Sequence, residues 1–196
     1  MKPFKTFKGK TVPLDRVNID TDQIIPKQFL KRIERTGFGK YLFNDWRFND
    51  DGSLNEEFIL NKETYKSSSI LLVGDNFGSG SSREHAAWAL HDYGFRCILA
   101  PSFADIFFNN CFQTGLLPIV LPKEKINNLI HESKNNNGLE LNIDLESQTI
   151  VNINLEINIS FDVDPYRKYC ILNGLDNIGL TLQHIDKIDR YENRND

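Results

Sequence analysis

The sequence has few cysteines and none of the close pairs that hold metals. Its 196 residues include three cysteines, Cys97, Cys111 and Cys170, and no C-x-x-C. Widely spaced cysteines in odd number are typical of free thiols in a reducing compartment rather than of a disulfide framework. The pattern excludes a zinc site or an iron–sulfur cluster bound in the usual way by this chain. We therefore expect no metal site here.

Long apolar runs and an excess of positive charge are also missing. No run approaches the ~20 residues of a membrane span, and the basic start MKPFKTFKGK lacks the apolar stretch of a secretory signal. A net charge of −4 and a pI near 5.6 argue against nucleic acid and anionic membranes as partners. We predict a cytoplasmic protein with one domain over residues 1–196, frayed after about residue 190.

What the sequence does contain is a glycine-rich junction in the stretch Ser69–Tyr93, SILLVGDNFGSGSSREHAAWALHDY. Ile70–Val73 is a short apolar run that predicts a buried strand. The apolar residues near the end of the stretch have helical spacing: Ala86, Ala89, Leu90 and Tyr93. The stretch therefore predicts a strand, a glycine loop and a helix.

Such a junction has the properties of an anion site. The first amides of a helix have no intrahelical partner, and Gly78 and Gly80 allow close approach of the backbone. Arg83 adds a planar donor suited to a carboxylate or phosphate. Ser81 and Glu84 also fit the S-x-x-E capping box, so Ser81 has a purely structural alternative as a helix cap. No Gly-Lys-Ser/Thr follows, and Arg83 occupies the third glycine position of a dinucleotide fingerprint.

The stretch Gly74–Ala87 closely resembles the signature of the swivelling domain of the aconitase superfamily. Further segments narrow the resemblance to the bacterial small subunits of 3-isopropylmalate dehydratase, and together they cover nearly the whole chain. These segments are Asn18–Leu30, Arg35–Gly39, Leu42–Phe48, Ala100–Phe107 and Asn173–His184.

The resemblance implies one subunit of a two-chain hydro-lyase of leucine biosynthesis. Such an enzyme interconverts 2-isopropylmalate and 3-isopropylmalate through 2-isopropylmaleate. The resemblance places a [4Fe–4S] cluster on the large subunit, whose open iron acts as Lewis acid on the leaving hydroxyl. No cofactor is expected on this chain, whose partners are then the large subunit and a small dicarboxylate.

The resemblance also assigns roles to individual residues. Ser81 becomes the base that removes the proton next to a carboxylate, and Ser82 and Arg83 hold a substrate carboxylate. Asp22 falls in a Thr-Asp motif at the active-site cleft, although an aspartate cluster after a strand also fits a turn or helix cap. The remaining candidates are the alkyl-group residues Phe29 and Leu30 and the supporting residues Gly78, Gly80, Glu84 and His85.

Two other functions stay open at this point. One is the small subunit of a sister enzyme, a homoaconitase or a citraconate-type hydratase. The resemblance implies that the segment Lys27–Lys31 reads the variable group of the substrate, and there Phe29 and Leu30 favour an alkyl substituent whereas Lys31 does not. The other is a non-catalytic dicarboxylate-binding module.

The periodicity predicts an α/β fold of the swivelling β/β/α type, with a parallel core sheet and antiparallel strands added toward the C-terminus. The predicted strands are Thr11–Ile19, Ile70–Val73, Arg96–Ala100, Leu116–Leu121, and a hairpin of Leu139–Leu145 with Val151–Phe161. The predicted helices run over Pro26–Arg35, from the cap Ser102 to Gly115, over Pro122–Ser133, and from Asp164 to Gly174.

Overall fold

The computed structural model describes residues 1–30 and 36–193. A seven-stranded mixed sheet forms its centre, with the strand order β4-β3-β2-β1-β5-β6-β7. The strands are β1 Thr6–Leu14, β2 Ser68–Val73, β3 Cys97–Ala100, β4 Leu117–Val120, β5 Glu140–Asp144, β6 Thr149–Asn152 and β7 Ile157–Ser160.

Helices lie between successive strands from β1 to β5 and follow the last strand. They are α1 Thr21–Ile24, α2 Asn44–Arg47, α3 Glu84–Tyr93, α4 Asp105–Thr114, α5 Lys123–Asn135, α6 Pro165–Asn173, α7 Asn177–Leu182 and α8 Ile185–Glu192. Short 3-10 helices cover Lys27–Phe29, Gly39–Tyr41, Ile59–Asn61 and Glu63–Tyr65. Within the described ranges, every helix is too short or too polar to cross a bilayer.

The first four strands form the parallel half of the sheet, and both of its faces are covered. Along β2, Leu71 and Val73 face one hydrophobic cluster, whereas Ile70 and Leu72 face the other. Alternate residues of a strand point to opposite faces, so a strand buried on both faces is apolar throughout. This burial explains why the core strands are visible in the sequence as short apolar runs. The predicted α/β fold, with a parallel core and added antiparallel strands, is confirmed.

The first strand differs from its prediction. It was predicted over Thr11–Ile19 but spans Thr6–Leu14. Thr6–Lys10 pairs with β5 in antiparallel fashion, and Lys10–Leu14 pairs with β2 in parallel. The earlier part is polar and is made a strand by a partner that is distant in sequence, for example Asp144 against Thr6. The segment after Leu14 is a loop that leads to α1.

The last predicted strand is wrong as a single element. Val151–Phe161 folds back on itself to form β6 and β7, which pair antiparallel. The turn has a side-chain cap, because Asn152 Oδ1 accepts the amide of Leu155 at 3.0 Å, and Glu156 has a positive φ of 52°. Strict alternation continues through the turn in the sequence, so periodicity alone does not reveal the reversal.

Helix ends agree with the sequence in some places and not in others. Asp164 caps α6, and Gly174 and Gly115 end α6 and α4 in left-handed conformation, as predicted. Ser102 is not a cap, because α4 begins only at Asp105 and the Ser102 hydroxyl instead accepts the amide of Asn76 at 2.8 Å.

The predicted helix Pro26–Arg35 is described only in part. Lys27–Phe29 forms a 3-10 turn that follows Pro26, and residues 31–35 lie outside the described residues. At the other end of the chain α8 extends to Glu192, and residues 194–196 also lie outside the described part.

Candidate active site

The candidate site lies at the carboxyl ends of three parallel strands. Loops after β1, β2 and β3 lead into α1, α3 and α4 at the same edge of the sheet. Two isolated backbone bridges join these loops, between Asp20 and Ser79 and between Phe77 and Phe103. In open α/β sheets ligands bind outside the carboxyl ends of the strands, so this edge is the expected place for a site.

The glycines shape the loop after β2. Gly78 has a φ of +77°, and a Cβ added there would lie 2.2 Å from the Phe107 ring. The amide of Gly78 donates to the carbonyl of Ile19 at 2.8 Å. Gly80 has a φ of +89° and lies beside Asp20. The two glycines let the loop turn sharply and pack against the neighbouring loop, and this packing brings Ser81 next to α1.

Ser81 is not the cap of α3. The helix begins at Glu84 with Arg83 in the N-cap position, and no side chain of the described residues forms a cap hydrogen bond there. Ser81 lies two residues before the cap and is exposed. Its carbonyl accepts the hydroxyl of Thr21 at 2.9 Å, and its own Oγ lies 3.4 Å from Thr21 Oγ1. The structural alternative for Ser81 is therefore wrong, and its hydroxyl is left beside the cleft.

Arg83 and Asp22 form an ion pair. Arg83 Nη1 lies 2.6 Å from Asp22 Oδ1, and the two side chains are 10% and 44% exposed. The same nitrogen is 3.4 Å from the carbonyl of Ile25, and Lys27 Nζ is 3.9 Å from Asp22 Oδ2. The family resemblance suggests a separate role for each residue of the pair. The contact between the two side chains holds the largely buried Arg83 guanidinium in place, because its Nη1 is paired with the Asp22 carboxylate.

A cleft joins these groups to the start of α4. It is lined by Thr21, Gly78, Gly80, Ser81, Arg83 and the run Ala104–Phe107. Four predicted site residues thus share one cleft. Ser82 is exposed but is not part of this lining. Asp22 is not part of it either, but its carboxylate contacts the lining residue Arg83.

Comparisons with known proteins decide the family. The family model described as the aconitase C-terminal domain matches residues 1–124, and the model for the C-terminal domain of the 3-isopropylmalate dehydratase small subunit matches residues 177–195. The small subunit of 3-isopropylmalate dehydratase from Brevibacillus brevis is 58% identical over 194 residues, 99% of this chain and 100% of that protein. The chain belongs to the 3-isopropylmalate dehydratase small-subunit family.

Other relatives agree with this assignment. The 3-isopropylmalate dehydratase small subunit of Leptospira interrogans is 56% identical, covering 99% of this chain and 95% of that protein. A crystal structure of 3-isopropylmalate dehydratase from Methanocaldococcus jannaschii superimposes with a TM-score of 0.69 at 25% identity, covering 94% of this chain and 99% of that one. The predicted membership of this family, a hydro-lyase subunit of leucine biosynthesis, is confirmed.

Phe29 and Leu30 lie apart from the cleft lining. The Phe29 ring stacks on Tyr41 with centroids 4.0 Å apart, and both residues are half-buried against the core. They follow α1, the short helix that carries Asp22. Their role as alkyl-group residues of this small-subunit family stays a prediction.

His85 and Glu84 lie outside the cleft lining, and their supporting role stays a prediction. The His85 ring packs between Phe38 and Trp88, with centroids 5.2 and 4.7 Å away. Burial lowers the pKa of His85, and nearby Glu84 opposes that shift, so the imidazole is neutral near pH 7. Glu84 is exposed and lines a second pocket with Trp88 and Asp176, between α3, α4 and α7.

Residues near the start of α4 were missed by the sequence reasoning. Asp105 and Ile106 are exposed in the cleft beside Ser81 and Arg83, and Phe107 forms its floor against Gly78. The sequence does indicate a place for these residues, because they follow the strand Cys97–Ala100 and parallel strands place the loops that follow them at the same edge of the sheet. A helix predicted to start at Ser102 instead puts Asp105 and Ile106 in its interior, away from the loop at the edge of the sheet.

The described side chains do not fit an iron–sulfur cluster. Cys97 and Cys111 are completely buried, and burial raises the pKa of both thiols, whereas cluster ligands are thiolates. Cys170 lies apart on α6. In residues 1–30 and 36–193, no three His, Cys, Asp or Glu side chains are grouped in a way that could hold a metal ion.

Proposed function

We propose that this chain supplies the base and part of the carboxylate site for the interconversion of 2-isopropylmalate and 3-isopropylmalate through 2-isopropylmaleate. The observation that carries the proposal is the position of Ser81. Ser81 is exposed and lines the cleft with Arg83, and its hydroxyl does not cap α3. Family membership at 58% identity supports the substrate class.

The proposed chemistry of this chain is one proton transfer in each direction. Ser81 Oγ, as alkoxide, takes the proton from the carbon next to a carboxylate, while the hydroxyl leaves the neighbouring carbon and a double bond forms. The departing hydroxide would be taken up by the Lewis acid expected on the large subunit. Rehydration then adds hydroxide to the carbon that gave up its proton and the Ser81 proton to the carbon that lost its hydroxyl, which regenerates the alkoxide. A serine is a weak base, so the positive guanidinium of Arg83 and the loop amides are needed nearby.

Arg83 and Ser82 are proposed to hold one substrate carboxylate. The hydrogen bonds of Arg83 to other described residues run through Nη1, to Asp22 and Ile25. The rest of the guanidinium fork can then meet a carboxylate at the cleft, with Asp22 keeping the plane of the fork in place. Phe29 and Leu30 are proposed to contact the isopropyl group.

The large subunit is proposed as the partner that covers this cleft. Ser81 and Ser82 are both exposed, and the relatives are named small subunits, which implies a larger companion. We assign the [4Fe–4S] cluster to that companion, where its iron would supply the Lewis acid. One domain over residues 1–196 and a cytoplasmic location belong to the same proposal.

Reconstitution tests this division of labour. The isolated chain, treated anaerobically with iron and sulfide, should stay colourless and fail to convert 3-isopropylmalate, and addition of the large subunit should start turnover. A stable brown protein with a stoichiometric cluster in this chain alone would contradict the proposal. Turnover of homoaconitate or citraconate in preference to 3-isopropylmalate would instead identify a sister activity.

A further inference from the structure

Thr21 is a buried residue that contacts the proposed base. It is 1% exposed and is the first residue of α1, directly after the cap Asp20. Its amide donates to the carbonyl of Ser79 at 2.8 Å. Its hydroxyl donates to the carbonyl of Ser81 at 2.9 Å and lies 3.4 Å from Ser81 Oγ. Thr21 therefore contacts the glycine loop on both sides of Gly80.

We propose that Thr21 is a positioning residue for Ser81, which rests on the proposed role of Ser81 as base. Ser81 has little else to hold it, because it follows a glycine in left-handed conformation and precedes the first helical residue by three positions. The hydrogen bond from a buried hydroxyl fixes the Ser81 carbonyl and, through it, the direction of the side chain. An error of about 1 Å in such a group can cost about 10²-fold in rate.

The Thr21 hydroxyl is near enough to Ser81 Oγ to turn its proton toward that oxygen when Ser81 ionises. A threonine has one hydroxyl proton, and its direction rotates to suit the acceptor. In the resting arrangement the proton is given to the Ser81 carbonyl, as the 2.9 Å distance indicates. When Ser81 Oγ becomes an alkoxide, it is the stronger acceptor, 3.4 Å away. Removal of this hydroxyl should thus lower the rate of turnover rather than the affinity for substrate.

Thr11 offers a matched control. It is also fully buried, and its hydroxyl pairs with Ser133 Oγ at 2.7 Å and accepts the amide of Leu139 at 2.8 Å. Thr11 lies within β1 and does not line the cleft. Thr11→Val and Thr21→Val thus make the same chemical change at two buried sites, of which only one contacts Ser81.

The experiment compares Thr21→Val, Thr21→Ser and Thr11→Val in the reconstituted two-chain enzyme, with kcat and KM for 3-isopropylmalate. The melting temperature of each isolated chain is measured alongside. Thr21→Val should lower kcat by about 10²-fold with KM little changed, and Thr21→Ser, which keeps the hydroxyl, should restore most of kcat. Thr11→Val should lower the melting temperature at least as much as Thr21→Val and leave kcat unchanged.

Two results would overturn the inference. One is a wild-type kcat for Thr21→Val, and the other is an equal loss of kcat in Thr11→Val at equal loss of stability, which would show a general effect of destabilisation. A third result is distinct from these two. If the wild-type chain assembles with the large subunit but the complex does not convert 3-isopropylmalate, the proposed function itself is contradicted. A double variant adds a further criterion, since Thr21→Val should cause no additional loss of rate when Ser81 is already alanine.

Discussion

Two neighbouring stretches beside the cleft fit the same helix-start pattern, and only one of them uses it. In Asp20–Gln23, Asp20 Oδ1 accepts the amide of Gln23 at 2.8 Å and Gln23 Oε1 accepts the amide of Asp20 at 2.9 Å. This is a complete capping box on α1. In Ser81–Glu84 the helix starts at Glu84, and the serine does not cap it.

The difference separates a side chain that caps a helix from one that does not. Asp20 accepts the amide of Gln23, a backbone donor that would otherwise be unpaired, so its oxygen is committed to the fold. Ser81 is displaced from the cap position because Gly80 turns the chain and Thr21 holds its carbonyl. Its hydroxyl is consequently left for the cleft. Substitutions in and beside the two stretches test this separation.

Replacement of Ser81 should have the largest effect. Ser81→Ala and Ser81→Asn remove the base and should lower turnover by about 10²–10⁴-fold or more. Both variants should melt like the wild-type chain and still pair with the large subunit, because Ser81 does not cap α3. Asparagine is a good cap but no base, so a Ser81→Asn enzyme with most of its activity would show that the base is elsewhere.

Arg83→Lys should have the next largest effect. Lysine keeps the positive charge but loses the planar fork that meets Asp22 and, as proposed, a substrate carboxylate. We expect kcat/KM to fall by the equivalent of about 2–4 kcal/mol of transition-state stabilisation, as for truncation of a buried charged pair. Steady-state kinetics of the reconstituted variant provide the measurement, and wild-type values would refute the carboxylate role.

Asp20→Ala should affect stability and leave chemistry nearly intact. Loss of a capping side chain costs about 1 kcal/mol of unfolding free energy, measurable by urea denaturation of the isolated chain. Turnover under conditions where the protein is folded should change far less than in Ser81→Ala. A stable Asp20→Ala chain with no activity would erase the distinction between the two stretches.

Ser82→Ala should have the smallest effect among the residues proposed to meet the substrate. Ser82 is exposed and lies outside the cleft lining, so we expect it to contribute less than Arg83 to holding the substrate carboxylate. We expect a loss of less than about tenfold in kcat/KM, or under ~1.4 kcal/mol. A loss as large as that of Ser81→Ala would show that the large subunit draws Ser82 into the reacting centre.

The parallel core could be predicted because its cause is local. Strands buried on both faces need short apolar runs, and the cap Asp164 and the terminal Gly174 act on their own helix. The rest depends on distant partners. Residues Thr6–Lys10 become a strand only beside β5, and Arg83 meets Asp22 across 61 residues of sequence.

The candidate site, like the fold, was predictable where its cause is local and not where it depends on distant residues. The motif around Ser81 identified the loop and its glycines, yet its spacing fitted both a cap and a base. The cap is excluded by the helix start at Glu84, and Ser81 instead contacts Thr21 of α1, a contact that no spacing within the loop can encode. Asp105 was missed for a related reason, because the true start of α4 depends on Ser102 binding the amide of Asn76.

The double pairing of β1 has a consequence for the order of folding. One half of this strand pairs with β2 and the other half with β5, whose residues follow it by as many as 138 positions, as in Thr6 opposite Asp144. During synthesis β1 can pair with β2, which ends at Val73, before β5 at Glu140–Asp144 has been made, and β1 is then an open edge strand. Contacts so distant in sequence form slowly, and an open edge invites pairing with other chains. The lysines at positions 5, 8 and 10 place repelling charge along that edge during the interval.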